Sequence, residues 1–216
     1  MSIFPGELVE VSEQIRNLYP SCKYDHRKFL PTLGRSFSDS IVVTEEYRIG
    51  YSCFKRSVAS VLQPQTILEI GVGIGTAAMA FLDACPEACY LGYDNDCEYG
   101  VTFVVKPSEY VSSILKKAGY NGHVEIVDSQ SLERFPCVDL LHVDGCHRYD
   151  QAYHDIKLAW ESSSKWILID DCRDSTVAAA AMAVLRQCHA GSTEWAYFED
   201  TLTGNILIPR EHARSY

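Results

Sequence analysis

Residues 66–76 read Thr66-Ile-Leu-Glu69-Ile-Gly71-Val-Gly73-Ile-Gly75-Thr76. A short apolar run ends in three glycines at alternate positions, and the helix-forming stretch Thr76–Ala84 follows. This is how a buried strand that turns tightly into a helix is written. Glycine tolerates positive φ and lets a ligand lie against bare backbone at the positive end of the helix. The same alternation continues downstream. Apolar runs at 67–70, 88–93, 124–127, 138–143 and Trp166–Ile169 predict strands. Between them, 76–84, 108–118, 149–160 and 175–188 predict helices. Two further runs, 193–198 and 205–208, flank a turn at Thr203-Gly204 and predict an antiparallel edge pair. Strands alternating with helices imply a parallel sheet covered on both faces, with ligands at the carboxyl ends of its strands.

Upstream of this pattern, Leu8, Val11, Ile15 and Leu18 recur at helical spacing. Residues 19–40 are polar and punctuated by proline and glycine, which predicts a loop or lid. Residues 44–62 predict a second helix, ended by Pro64. The expected organisation is a helical cap and substrate-side lid over 1–64 and one compact domain over 65–216. The 216 residues, 47% hydrophobic and 22% charged, suit a globular chain with a real core. With 19 Lys and Arg against 29 Asp and Glu, the net charge of −10 argues against a nucleic-acid partner. No apolar run approaches a membrane span, and residues 1–20 lack the basic-then-apolar order of a secretory signal. A cytoplasmic, membrane-free protein acting on a small molecule is expected, with homo-oligomerisation left open. Nine cysteines without paired spacing read as reduced thiols rather than disulfides or a zinc site.

The glycine pattern is G-x-G-x-G with Glu69 two residues before it. A dinucleotide fingerprint would place Gly or Ala at the sixth position, where this chain has Thr76. The segment resembles the S-adenosylmethionine (SAM) binding motif of class I methyltransferases. That resemblance implies a Rossmann-like α/β fold: a seven-stranded, mostly parallel sheet with helices on both faces and an antiparallel edge hairpin. It also implies that Glu69, Gly71, Gly73 and Gly75 surround the amino-acid part of SAM. Asp94, ending the second strand, suits both ribose hydroxyls. Asp128 and Ser129 end the third, where the resemblance implies a contact with the adenine amino group. Turn and cap chemistry alone also favours Gly, Asp and Ser at strand ends.

Two later strands end in acids: Asp144-Gly-Cys146-His147 after the fourth, Asp170-Asp171-Cys172 after the fifth. Carboxylates crowded on one rim repel each other unless a cation lies between them, and oxygen donors suit Mg²⁺, Ca²⁺ or Mn²⁺. The order D-G-x-H-x-Y, helix, apolar strand, D-D resembles metal-dependent O-methyltransferases that act on macrolide and aminocoumarin sugars. Catechol O-methyltransferase is a more distant likeness, and the resemblance spans 66–172. It implies Asp144, Asp170 and Asp171 as ligands of Mg²⁺ or another divalent cation. It also implies catalytic roles for Asp144 and for His147, the latter as base. Competing readings are that Asp170-Asp171 caps the next helix and that His147 merely begins one. His142, within an apolar strand, reads as a satisfied core histidine, and His154 and Asp150 as an exposed helix face. Tyr24, His26, Arg27, Arg35, Tyr47, Arg48 and Tyr51 are candidates on the substrate side, and 95–107 is an unusual cofactor-side loop.

The expected activity is therefore SAM-dependent, divalent-metal-assisted O-methylation of a small hydroxylated metabolite. The rivals are N-methylation or a non-methylating SAM reaction, an NAD-dependent oxidoreductase, and an inert binding module.

Overall fold

The computed structural model describes residues 5–29, 44–96, 106–188 and 195–210. Helix α1 is Pro5–Leu18, followed by 3-10 turns at Tyr19–Ser21 and His26–Phe29. Helix α2 is composite: Glu45–Tyr47, a π segment Arg48–Cys53, then Phe54–Leu62. The alternating part follows as β1 Thr66–Ile70, α3 Thr76–Ala84, β2 Cys89–Asp94, α4 Pro107–Ala118 and β3 Gly122–Ile126. It continues through β4 Leu140–Val143, α5 Tyr149–Glu161, β5 Trp166–Ile169, α6 Ser175–Cys188, β6 Ala196–Phe198 and β7 Asn205–Pro209. Segment 30–43, with Arg35, lies outside the described residues, as do 97–105 in the cofactor-side loop and 193–194 in the edge strand.

The described strands form one seven-stranded sheet in the order β3-β2-β1-β4-β5-β7-β6. The first five are parallel; β7 runs antiparallel to both β5 and β6. Chain direction thus produces the Rossmann-like sheet with an antiparallel edge. The strand order reverses at β1, because the chain passes from β3 back across to β4. β1 and β4 have hydrogen-bonded neighbours on both sides and helices on both faces, so their sequences are nearly unbroken apolar runs.

Side chains alternate across the sheet with period two. Ile67, Leu140, Trp166, Leu168 and Leu207 face α1–α4. Leu68, Ile70, Leu141, Val143, Ile167, Ile169, Ile206 and Ile208 face α5 and α6. Each fully buried Leu, Ile or Phe contributes about 1.5–3 kcal/mol, so both layers are held chiefly by this burial. The same parity sends Glu69, His142, Asp144, Asp170 and Asn205 to the α2 side of the sheet. The register aligns Ile70, Val143, Ile169 and Ile206 across four strands, so the residues just beyond β1, β4 and β5 emerge on one rim.

The second helix departs from the continuous α-helix expected over 44–62. Thr44 caps it, its hydroxyl accepting from Tyr47 N at 3.1 Å. In the π segment the Gly50 carbonyl instead accepts from Leu202 N at 3.1 Å, outside the helix. A wide turn of this kind re-aims the side chains around it. Gln63, at φ +46°, then ends the helix ahead of Pro64. No helix among the described residues is long and apolar enough to cross a membrane.

Candidate functional site

Gly71 lies at φ +81°, and a Cβ there would stand 2.0 Å from the Asp144 carbonyl oxygen. Only glycine lets the end of β1 pass so close to the end of β4. Gly73 and Gly75 also have positive φ, +52° and +78°. The turn borders a cleft of about 360 Å³ lined by Gly71, Asp94, Val127, Ser129, Cys146 and Asp155, among others. A second cleft of about 260 Å³ lies beside it, lined by Asp144, His147, Asp170 and Asp171. Gly145, Cys146 and Asp155 border both, so the cleft at the glycine turn and the cleft at the acidic rim adjoin each other.

Asp94 forms the floor of the first cleft. Its Oδ2 accepts from Val72 N and Gly73 N at 2.9 and 3.0 Å, and its Oδ1 from Asp96 N at 2.8 Å. A carboxylate offers roughly four lone-pair positions, so about one remains for a ligand. Ser129 is buried in the cleft wall, whereas Asp128 is exposed and its Oδ1 caps the following 3-10 turn through Gln130 N at 3.1 Å. His154 departs from the exposed placement expected of it. It is half-buried, and its Nε2 lies 3.1 Å from the Ser129 carbonyl, because α5 packs on that turn.

Glu69 is wholly buried. Its Oε2 is hydrogen-bonded to the Tyr90 hydroxyl, and His142 Nδ1 lies 3.0 Å from its Oε1. Burial pushes its carboxyl up to about 8, so at neutral pH it holds a proton in the core. A proton bound by the folded state and not by the unfolded one stabilises at low pH. This contribution is full below the ordinary carboxylate range and disappears as pH rises through 8. Wild type is therefore expected to lose stability between pH 5 and 9 relative to Glu69→Gln. Urea denaturation across that range measures the difference, and parallel pH profiles would contradict the assignment.

On the acidic rim, Tyr51 donates to Asp144 Oδ2 at 2.6 Å, and the Tyr47 and Tyr51 rings stack with centroids 4.6 Å apart. Burial, then Asp170 and Asp171, push the Asp144 carboxyl well above its ordinary range. Asp171 sits in the left-handed region at φ +55°, and its Oδ2 meets His147 Nε2 at 2.8 Å. That contact holds the His147 imidazole above, and helps hold the Asp171 carboxyl below, their usual ranges. Asp174, not Asp170 or Asp171, caps α6, accepting from Thr176 N at 2.7 Å.

Asp170 meets a partner that sequence reasoning did not find. Lys55, on α2 and 0% exposed, places Nζ 2.7 Å from Asp170 Oδ2, 2.7 Å from Asn205 Oδ1 and 2.9 Å from His142 Nε2. Asp170 Oδ1 accepts from the Thr203 hydroxyl and from Asp171 N. The sequence signal for Lys55 is a lysine amid Phe54, Val58 and Ala59 on the core side of a helix. His142 is the satisfied core histidine expected. Among the described residues, the His, Cys, Asp and Glu group whose ligand atoms converge within 4.8 Å is Glu69, His142 and Asp144, not the three aspartates. Both ring nitrogens of His142 and both oxygens of Glu69 in that group already have internal partners.

The substrate-side candidates divide. Tyr47 and Tyr51 reach the rim. His26 is buried against Ser52, Arg27 pairs with Asp25, and Arg48 binds Glu45 and the carbonyls of Cys22 and Tyr24.

Residues 68–172 match a family model described as a methyltransferase domain. No curated protein is similar enough to count as a relative of the chain. Among solved structures, the SAH-bound methyltransferase PaMTH1 of Podospora anserina is similar at 15% identity and TM-score 0.56, covering 96% of this chain and 89% of its own. The O-methyltransferase TomG of Streptomyces achromogenes, involved in tomaymycin synthesis and solved with SAM, is 16% identical with TM-score 0.55, covering 94% and 98%. A methyltransferase of Geobacter sulfurreducens is 15% identical with TM-score 0.57, covering 85% and 93%. At these identities the likeness is one of fold.

Proposed function

We propose, from the match of residues 68–172 to a family model described as a methyltransferase domain, that the chain binds SAM and moves its methyl group to a hydroxyl of a small metabolite. The observation that carries the reading is the His147–Asp171 contact of 2.8 Å on a rim adjoining the cleft at the glycine turn.

SAM supplies an electrophilic methyl group on a sulfonium, and the residues of this chain do the rest. The cleft residues fit such a molecule. Gly73, where nothing lies within 4 Å of an added Cβ, leaves backbone uncovered for its amino-acid end, while Gly71 and Gly75 pack the turn against Asp144 and Val111, with Glu69 beneath. Asp94 keeps an acceptor position for one ribose hydroxyl, and Ser129 with Asp128 closes the adenine side. With Nε2–H donating to Asp171, His147 Nδ1, which lies 3.6 Å from Asp174 Oδ2, would be the nitrogen that takes the proton of the acceptor hydroxyl. The hydroxyl oxygen forms the new bond to carbon while the carbon–sulfur electron pair stays on sulfur. Alignment of oxygen, carbon and sulfur is the protein's main contribution.

A divalent cation such as Mg²⁺ would be held by Asp144 and Asp171, where burial and then the neighbouring Asp170 and Asp171 already hold the Asp144 carboxyl above its ordinary range. There it would lower the pKa of an acceptor hydroxyl. The net charge of −10 and the two stacked tyrosines favour a small, aromatic or polyhydroxylated acceptor over nucleic acid.

Titration calorimetry is expected to show SAH binding and no NADH binding. Labelled-methyl transfer to catechols or vicinal diols is expected to stop in EDTA while SAH affinity is retained. NADH binding without SAH binding would overturn the assignment. Turnover that persists in EDTA would remove only the metal.

A further inference from the structure

Lys55 Nζ is hydrogen-bonded to Asn205 Oδ1 and His142 Nε2 at 2.7 and 2.9 Å, and it faces Asp170 Oδ2 at 2.7 Å as an ion pair outside hydrogen-bond geometry, so Asp170 Oδ2 has charge compensation but no hydrogen bond. The hydrogen-bond directions agree around it. An ammonium can only donate, so His142 Nε2 accepts, Nδ1 carries the ring proton, and Nδ1 donates to Glu69 Oε1 at 3.0 Å. Asp170, also enclosed, spends Oδ1 on Thr203 and on the backbone N–H of Asp171 at 2.8 Å. That last bond holds Asp171 at its left-handed φ, from which its carboxylate reaches His147. A line of contacts therefore runs from Lys55 through Asp170 and Asp171 to His147.

We infer that Lys55 is the resident cation of Asp170: it occupies this carboxylate in place of a metal ion and so fixes Asp171 toward His147. Lys55 is a positioning residue, and an added divalent ion on this rim is held by Asp144 and Asp171 without Asp170. A second cation on Asp170 Oδ2 would lie against the ammonium with no water between them to screen the repulsion. This inference rests on the rim being the catalytic one, but its test is made on ion binding rather than turnover.

The probe is Mn²⁺, followed by electron paramagnetic resonance on the full chain, with SAH affinity as the measure of a folded protein. Asp170→Asn is expected to change Mn²⁺ affinity by less than about 3-fold, as for a site that does not share the ion. Asp171→Asn is expected to lower it by about 10–100-fold. Lys55→Met frees Asp170, and Mn²⁺ affinity is expected to rise by about 10-fold or more. Lys55→Met/Asp170→Asn should lose that gain. Lys55→Gln replaces Lys55→Met should the latter fail to bind SAH. The inference is overturned if Asp170→Asn weakens Mn²⁺ binding as much as Asp171→Asn, or if no Lys55 variant binds Mn²⁺ more tightly than wild type. A wild type that ignores Mn²⁺ while Lys55→Met binds it supports Lys55 as the cation and removes the metal from the proposed function.

Discussion

His147→Ala is expected to lower kcat for methyl transfer by about 10²–10⁴-fold, the usual contribution of a placed general base. SAH affinity should stay close to that of wild type, because the imidazole lies on the acidic rim and not among the cleft residues beside the glycine turn. Added imidazole should restore part of the rate, since the loss leaves a cavity open to solvent where His147 was 49% exposed. Single-turnover kinetics with labelled SAM measures the chemical step apart from release. A variant with an unchanged single-turnover rate would leave His147 as no more than a residue preceding α5.

Gly71→Ala is the other large effect expected, and it acts through backbone. At φ +81° any Cβ carries a left-handed cost of about 1–2 kcal/mol. Here it would also stand 2.0 Å from the Asp144 oxygen and 2.7 Å from Gly145 Cα. Neither neighbour is the end of a flexible side chain, so β1 and β4 must separate at the rim. The expected destabilisation exceeds about 4 kcal/mol, in the range reserved for such backbone conflicts. SAH binding should fall below detection. Gly73→Ala is the control: it too has positive φ, but no atom lies within 4 Å of its added Cβ. It should cost about 1 kcal/mol. Urea denaturation and calorimetry on the pair separate the two, and equal losses would show that conformation rather than close approach governs Gly71.

Most of the fold was legible because its signals are local. The apolar runs and the glycine turn mark β1, β2, β4 and β5 to within a residue or two, and the alternation of strands with helices marks their parallel direction. The acidic rim followed from the same pattern, since acids that end adjacent parallel strands must emerge together. The pairings on that rim were not legible. Asp94 has the position a ribose ligand needs, yet it is largely taken up by the backbone of the turn it faces, and nothing in the order of residues reveals such a partner. Tyr51 reaches Asp144 from the π segment, whose Gly50 carbonyl accepts from Leu202 N far along the chain. Lys55 is hidden for the same reason: its partners lie on β4, β5 and β7, and no short window contains them. Its removal alone is expected to leave the Asp170 carboxylate buried and unpaired, at about 3–5 kcal/mol.

The separation of 150 residues between Lys55 and Asn205 also bears on how the protein is made. At about 5–20 residues per second, a ribosome needs roughly 8–30 s to travel from one to the other. During that interval α2 and the first strands exist without β7, and the lysine has water where Asn205 will later accept its hydrogen bond. The enclosed charge can therefore be assembled only after β7 has been made and inserts beside β5. Nascent chains arrested before residue 205 should hold a loose, hydrated rim, and the Lys55–Asn205 contact closes only once β7 is in place.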